Sequence, residues 1–195
     1  MNQIISADLI KRYLHQERLD VFLNEVEKAN RVFNLYSRNL RRADLKILAT
    51  ESLLPLHLEW IIAESGHILD IGSGWGIPAV PLLLFNLNLN ITLVERSQKK
   101  SDFIKLVLSR LGLAAQVVTE DIVRFHSDVK YGIISVRGVS VNSRLLTQMK
   151  ALSTVGGQLI YFGQAFPDET IDSAEIYEYS IDSLPARKII KYTLL

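Results

Sequence analysis

The chain has 195 residues, 48% of them hydrophobic and 22% charged, which suffices for one globular domain with a full core. It contains no cysteine, which excludes disulfide frameworks, thiolate nucleophiles and thiolate metal clusters, and its formal net charge of +1 argues against a generic polyanion-coating protein. The start, MNQIISADLIKRY, lacks the features of a signal peptide, and the longest apolar run, Ile77 to Phe85, falls far short of the ~20 residues of a membrane span, so a cytoplasmic protein without a membrane segment is expected.

From Ser6 to about Tyr36 the pattern is helical. Leu19, Phe22, Leu23, Val26, Ala29 and Phe33 recur at spacings of three and four between polar residues. Ser6 is a candidate cap for a first short helix, and a longer one starts near Gln16. Arg38, Arg41, Arg42 and Lys46 then cluster, either as a solvated loop and first helical turn or as a phosphate-contacting patch. A helix over about Asp44 to Leu54 ends before Pro55, and Leu56 to Ala63 forms one more. The absence of glycine before Gly66 fits an all-helical prelude, so residues 1–65 are expected as a helical cap and 66–195 as an α/β unit, compact together.

Beyond Gly66, β-rich runs alternate with helices. Strands are predicted at Ile68–Ile71, Ile91–Val94, Gln116–Val118, Gly132–Val136 and Gln158–Phe162, and helices at Ile77–Leu87, Gln98–Leu111 and Asn142–Leu152. Repeated βαβ units with right-handed crossovers give a mostly parallel, doubly wound sheet. Glu175–Ile181 and Arg187–Tyr192 add an antiparallel C-terminal hairpin.

The first strand runs into the turn ILDIGSGWGIPAVP, with Gly72, Gly74 and Gly76 ahead of an apolar helix. Glycines let the backbone turn sharply and approach a ligand, and the helix start offers unpaired N–H groups. The spacing is Gly-x-Gly-x-Gly; the dinucleotide fingerprint needs its third glycine one position later, where Ile77 stands. An acid before the turn (Asp70) followed by this spacing is the pattern of S-adenosylmethionine-dependent methyltransferases. Glu95, about 20 residues past the glycines, ends the next strand where nucleoside-binding folds place an acceptor for ribose hydroxyls; an ordinary surface acid is the alternative. After the third strand, Asp121 can accept the adenine amino group while Ile122 packs on the ring, or Asp121 can cap the short helix that follows.

The run DIGSGWGIPAVPL, with Pro78 and Pro81 inside the helix, resembles the signature of the RsmG (GidB) family. The matches continue in register with Phe33-Asn34-Leu35, Glu51-Ser52-Leu53 at the family's Asp-Ser-Leu, TLVERSQKKSDFI, the segment from Ile133 to Val139, and Gly156-Gly157, spanning about residues 20 to 165. The resemblance implies a Rossmann-like class I methyltransferase fold, S-adenosyl-L-methionine as cofactor, and methylation of N7 of a guanine in 16S rRNA, with small-subunit rRNA or a ribosomal particle as partner and a monomeric enzyme. The residue pattern and the resemblance together make Asp70, Gly72, Ser73, Gly74, Gly76, Ile77, Glu95, Arg96, Asp121 and Ile122 the candidate cofactor contacts. Arg38, Arg41, Arg42, Lys99 and Lys100 are candidate RNA contacts. Three departures stand out: Ile47-Leu48 replaces the family's Arg-His, Gly163-Gln164 replaces a strand-end lysine, and Asp121-Ile122-Val123 replaces Arg-Ala-Glu.

Guanine N7 has a free lone pair and no proton at neutral pH, so attack on a sulfonium methyl needs no general base, and orientation alone contributes ~7–11 kcal/mol. Arg137, at the end of the fourth strand, is the candidate catalytic residue, orienting either the guanine or the methionine carboxylate; a structural ion pair is its alternative. Trp75 either stacks on a base or cofactor or covers the turn. His15, His57, His67 and His126 show no metal-ligand spacing, so no metal is expected. The same scaffold also serves small-molecule methyltransferases and non-catalytic binding proteins.

Overall fold

Spacings of three and four in the N-terminal apolar residues produce helix α1 (Gln16–Val32), whose Leu19, Phe22, Leu23 and Val26 are all buried. The structure, a computed structural model, describes residues 3–5, 16–37, 39–62, 66–86, 88–163, 174–181 and 186–194. The expected cap at Ser6, Arg38 and Gln164 lie outside these residues. Helix α2 (Arg42–Glu51) opens with the Arg41 N–H donating to the Asp44 carboxylate at 2.7 Å. The expected boundary at Pro55 is corrected: Pro55 sits in the first turn of a short helix, α3 (Leu54–His57). There its missing N–H has no intrahelical partner to lose. Glu59, at φ +56°, and the Trp60 N–H donating to the Pro55 carbonyl then close the helix off after His57, and the expected helix end at Ala63 lies outside the described residues.

Among the described residues eight strands form one sheet: β1 (Gln3–Ile5), β2 (His67–Ile71), β3 (Asn90–Val94), β4 (Gln116–Val118), β5 (Tyr131–Arg137), β6 (Ser153–Phe162), β7 (Ala174–Ile181) and β8 (Arg187–Thr193). Their order is β1-β7-β8-β6-β5-β2-β3-β4, parallel except for β8, which runs antiparallel between β6 and β7. The C-terminal hairpin is as the sequence predicts. Strand β1 is an addition: three residues pairing with β7, far away along the chain, leave no local periodicity to detect. Helices α4 (Ala79–Phe85), α5 (Gln98–Leu111) and α6 (Ser143–Leu152) connect the parallel strands.

Alternation along the strands divides the core in two. Ile68, Ile91, Leu93 and Ile133 face α1, α4 and α5, packing with Phe22, Leu23, Val80, Leu83, Phe103 and Ile104. Leu69, Ile71, Val94, Ile134 and Val136 face α6, packing with Leu145, Met149 and Leu152. The helical prelude thus shares a core with the sheet. No helix among the described residues is long and apolar enough to cross a membrane.

Candidate functional site

From β2 the chain adds β3 and β4 on one side of the sheet, then returns to lay β5 and β6 on the other. Loops leaving the carboxyl ends of strands at such a reversal splay apart and leave a crevice. A cavity of about 620 Å³ lies there, within the size range of small-molecule sites. Gly72 and Gly74 line it after β2, Glu95 and Arg96 after β3, Glu120 to Val123 after β4, and Arg137 to Ser140 after β5. Lys100 of α5 and Asn142, the N-cap of α6, complete the rim.

The glycine turn divides its work. Gly72 and Gly74 have φ of +69° and +58°, in the left-handed region that side chains disfavour. A Cβ on Gly72 would stand 2.4 Å from Val139 Cγ2, so the loop after β5 closes directly on the turn. A Cβ on Gly74 would meet nothing nearer than 3.7 Å, leaving its backbone open to the cavity. The third glycine serves packing: a Cβ on Gly76 would reach within 2.7 Å of Val80 Cγ2, with the Phe22 ring behind it.

Glu95 ties the turn to the next element. It is buried, with Oε2 accepting the Gly74 N–H at 2.9 Å and Oε1 the Ser97 N–H at 2.8 Å. One carboxylate thereby fixes the glycine turn and the start of α5, while still lining the cavity. Asp121 accepts the Val123 N–H at 3.0 Å, and its carbonyl accepts from Arg124 and Phe125. It therefore caps its turn, the alternative weighed above, and lines the cavity as well.

Asp70 is corrected from cavity wall to foundation. It is fully buried beneath the turn, Oδ1 accepting from Ser135 Oγ at 2.7 Å and Oδ2 left without a partner. Burial pushes its carboxyl up to about 6, against the opposing hydrogen bond from Ser135. Ser73, also buried, donates from Oγ to the Asp70 carbonyl at 3.1 Å, and Ile77 packs into the core. Ser73, Gly76 and Ile77 thus stand with Asp70 behind the wall. Trp75 stacks on Phe22 at 5.8 Å and tilts against Tyr36 at 6.0 Å, covering the turn from the helical side.

Arg137 lines the cavity but is also ion-paired. Its guanidinium donates to Glu51 Oε2 at 2.5 Å and to the Leu48 carbonyl at 3.1 Å, and lies 5.2 Å over the Phe162 ring. Among the expected RNA contacts, Arg42 is corrected to a strut between helices, paired with Asp20 at 2.8 Å and Glu27 at 2.5 Å. Arg41 and Lys99 are exposed and away from the cavity, and Lys100 lies on its rim. Glu51, Gly138, Val139 and Asn142 were missed by the sequence reading. Only Asn142 had a local signal, as a helix cap, its side chain accepting the Leu145 N–H at 2.9 Å.

The rRNA small subunit methyltransferase G family, GidB, matches residues 15–184. A ribosomal RNA small subunit methyltransferase G of Laribacter hongkongensis is 28% identical over 182 residues, covering 89% of this chain and 86% of that protein. Its counterpart in Chromobacterium violaceum is 30% identical over 158 residues, covering 80% and 73%. Among solved structures, one described as a putative O-methyltransferase from Klebsiella pneumoniae superposes with a TM-score of 0.64 at 12% identity, covering 91% of this chain and 89% of that one, a likeness of fold.

Proposed function

The chain belongs to the rRNA small subunit methyltransferase G family, and from that premise we propose that it methylates N7 of a guanine in small-subunit rRNA. It is an S-adenosyl-L-methionine-dependent methyltransferase acting on small-subunit rRNA. The observation that carries the site assignment is the cavity at the sheet's reversal, with an open glycine turn on its floor and carboxylates along one wall.

The residues present fit the cofactor. Gly74 offers bare backbone at the turn, and Glu95, Glu120 and Asp121 supply acceptors for the hydroxyl and amino donors of an adenosine. Ile122 and Val123 supply apolar contact for a ring. When bound, S-adenosyl-L-methionine supplies a sulfonium-linked methyl group open to in-line attack. Everything else asked of the chain is orientation. The guanine N7 lone pair needs no proton removed, so the reaction asks no general base of the cavity. Gly72, held against Val139, fixes the gap between the turn and the loop after β5. Arg137 brings a fixed positive charge to the β5 end. Arg41, Lys99 and Lys100 are the proposed phosphate contacts; Arg42, paired with two acids, is not. All these residues come from one chain, so a monomer acting beside ribosomes in the cytoplasm suffices.

The test is transfer of a labelled methyl group to purified small ribosomal subunits and to naked small-subunit rRNA, with the modified position mapped. Label on N7 of a single guanine is the expected result. Label on an exocyclic amine or a ribose, or none on either substrate, overturns the assignment.

A further inference from the structure

Glu51 is a buried acid outside the cavity lining. It is 1% exposed at the end of α2, and both its oxygens are engaged by guanidiniums, Arg137 of β5 at 2.5 Å and Arg187 of β8 at 2.7 Å. Removing a carboxylate from water is costly, and it is sustained here because two cations meet it. Tyr179 stands beside the pair, its phenol held far above its usual range by burial and then by the Glu51 carboxylate. The cluster joins three distant parts of the chain around a single carboxylate.

Its consequence reaches the cavity through Arg137. With the Leu48 carbonyl on one nitrogen, Glu51 on another and the Phe162 ring under the plane, the guanidinium has one orientation. Only part of its five N–H donors is used, and the rest of the fork remains at the cavity wall. Two cations against one anion leave a positive charge there. Glu95, Glu120 and Asp121 stand on the opposite wall. The cavity is therefore polarised, with acceptors at one end and a fixed planar cation at the other. That matches a molecule whose sugar and base donate hydrogen bonds and whose far end is a carboxylate.

We propose that Glu51 is a positioning residue, holding Arg137 so that its free edge pairs with the methionine carboxylate of S-adenosyl-L-methionine. The inference rests on the cofactor assignment made above and specifies one half of it. Glu51 itself repels the ligand carboxylate, but fork-to-carboxylate pairing depends on the guanidinium plane, and loss of orientation outweighs that repulsion.

Calorimetry with two ligands tests this. S-adenosylhomocysteine carries the amino-acid carboxylate; 5′-methylthioadenosine has a methyl in place of the whole amino-acid chain and so reports only the nucleoside half and the folded state of the site. Arg137→Lys, which keeps the charge and leaves Glu51 paired, is expected to weaken S-adenosylhomocysteine about tenfold or more and leave 5′-methylthioadenosine unchanged. Glu51→Gln is expected to do the same, and to have no further effect in an Arg137→Met background. Unchanged or tighter S-adenosylhomocysteine binding in Glu51→Gln, or an equal loss in both backgrounds, overturns the positioning role. If Glu51→Gln does not fold, Arg137→Lys decides alone: unchanged S-adenosylhomocysteine affinity shows that the arginine serves the RNA base or the fold, and sinks the proposal. A wild-type chain that binds neither ligand overturns the cofactor assignment itself; one that binds both equally overturns only this inference.

Discussion

Asp70 makes the stability of this fold fall as pH rises, and Asp70→Asn should remove that fall. Burial raises its carboxyl from 3.8 to about 6, with Ser135 opposing the shift and the nearby Glu95 adding to it. The folded state therefore binds the proton more tightly than the unfolded chain does. Across the interval between those values the folded chain carries the extra proton, so the slope of unfolding free energy against pH is negative. The contribution is complete below 3.8 and is lost as pH rises through 6. Between about pH 4.5 and pH 7.5 the loss amounts to ~2 kcal/mol by linkage. Asparagine cannot titrate, and its amide places donors where Oδ2 has no partner, a pH-independent cost of about 1–3 kcal/mol. The readout is therefore the difference between two curves rather than either absolute value. Urea unfolding followed by the fluorescence of Trp60 and Trp75 at a series of pH values supplies it. Wild type should lose ~2 kcal/mol relative to the variant over that range. Curves that stay parallel would refute the argument that burial raises the Asp70 carboxyl.

Four further outcomes follow from the structure. Gly72→Ala forces a side chain into the left-handed region at ~1–2 kcal/mol and drives its Cβ into Val139 Cγ2. Its affinity for S-adenosylhomocysteine should drop at least several-fold by calorimetry, with partial recovery when Val139→Ala is added; no recovery would mean that Val139 is not what the new side chain meets. Glu95→Gln removes the charge that accepts from Gly74 and Ser97, and should weaken the same ligand about tenfold, since hydrogen bonds to charged groups contribute ~1.5–3 kcal/mol. An unchanged dissociation constant would place the ligand elsewhere. Arg42→Ala should cost about 1 kcal/mol in urea unfolding, as expected for partly exposed ion pairs, and leave the salt dependence of rRNA binding as it was. Arg41→Ala should shallow that salt dependence without loss of stability, and the reverse pattern would exchange their roles.

What could be read from the sequence was whatever is local. The strand, the three glycines and the acid just after β3 fall within 28 residues, and of that stretch Ile71, Gly72, Gly74, Val94 and Glu95 line the cavity. The division among the glycines was hidden. Nothing in Gly-x-Gly-x-Gly says that the third packs against Phe22, a residue of α1, while the second faces the cavity. Charge misled for the same reason. Arg42 looks as available as Arg41 in the sequence, and only the packing of α1 on α2 brings Asp20 and Glu27 to it. Glu51 gave no sign of its place, because its partners are 86 and 136 residues away.

The place of β8 in the sheet bears on how the enzyme comes into being. Of the eight described strands it comes last along the chain, yet it fills an interior slot, with β6 on one side and β7 on the other. Until it emerges from the ribosome, β6 has a bare edge and β7 has no neighbour on that side, and such edges invite pairing with other chains. Arg187, on the same strand, cannot reach Glu51 before then. A nascent chain thus carries these unpaired edges until β8 inserts between them, and the Glu51–Arg187 pair forms only with that insertion.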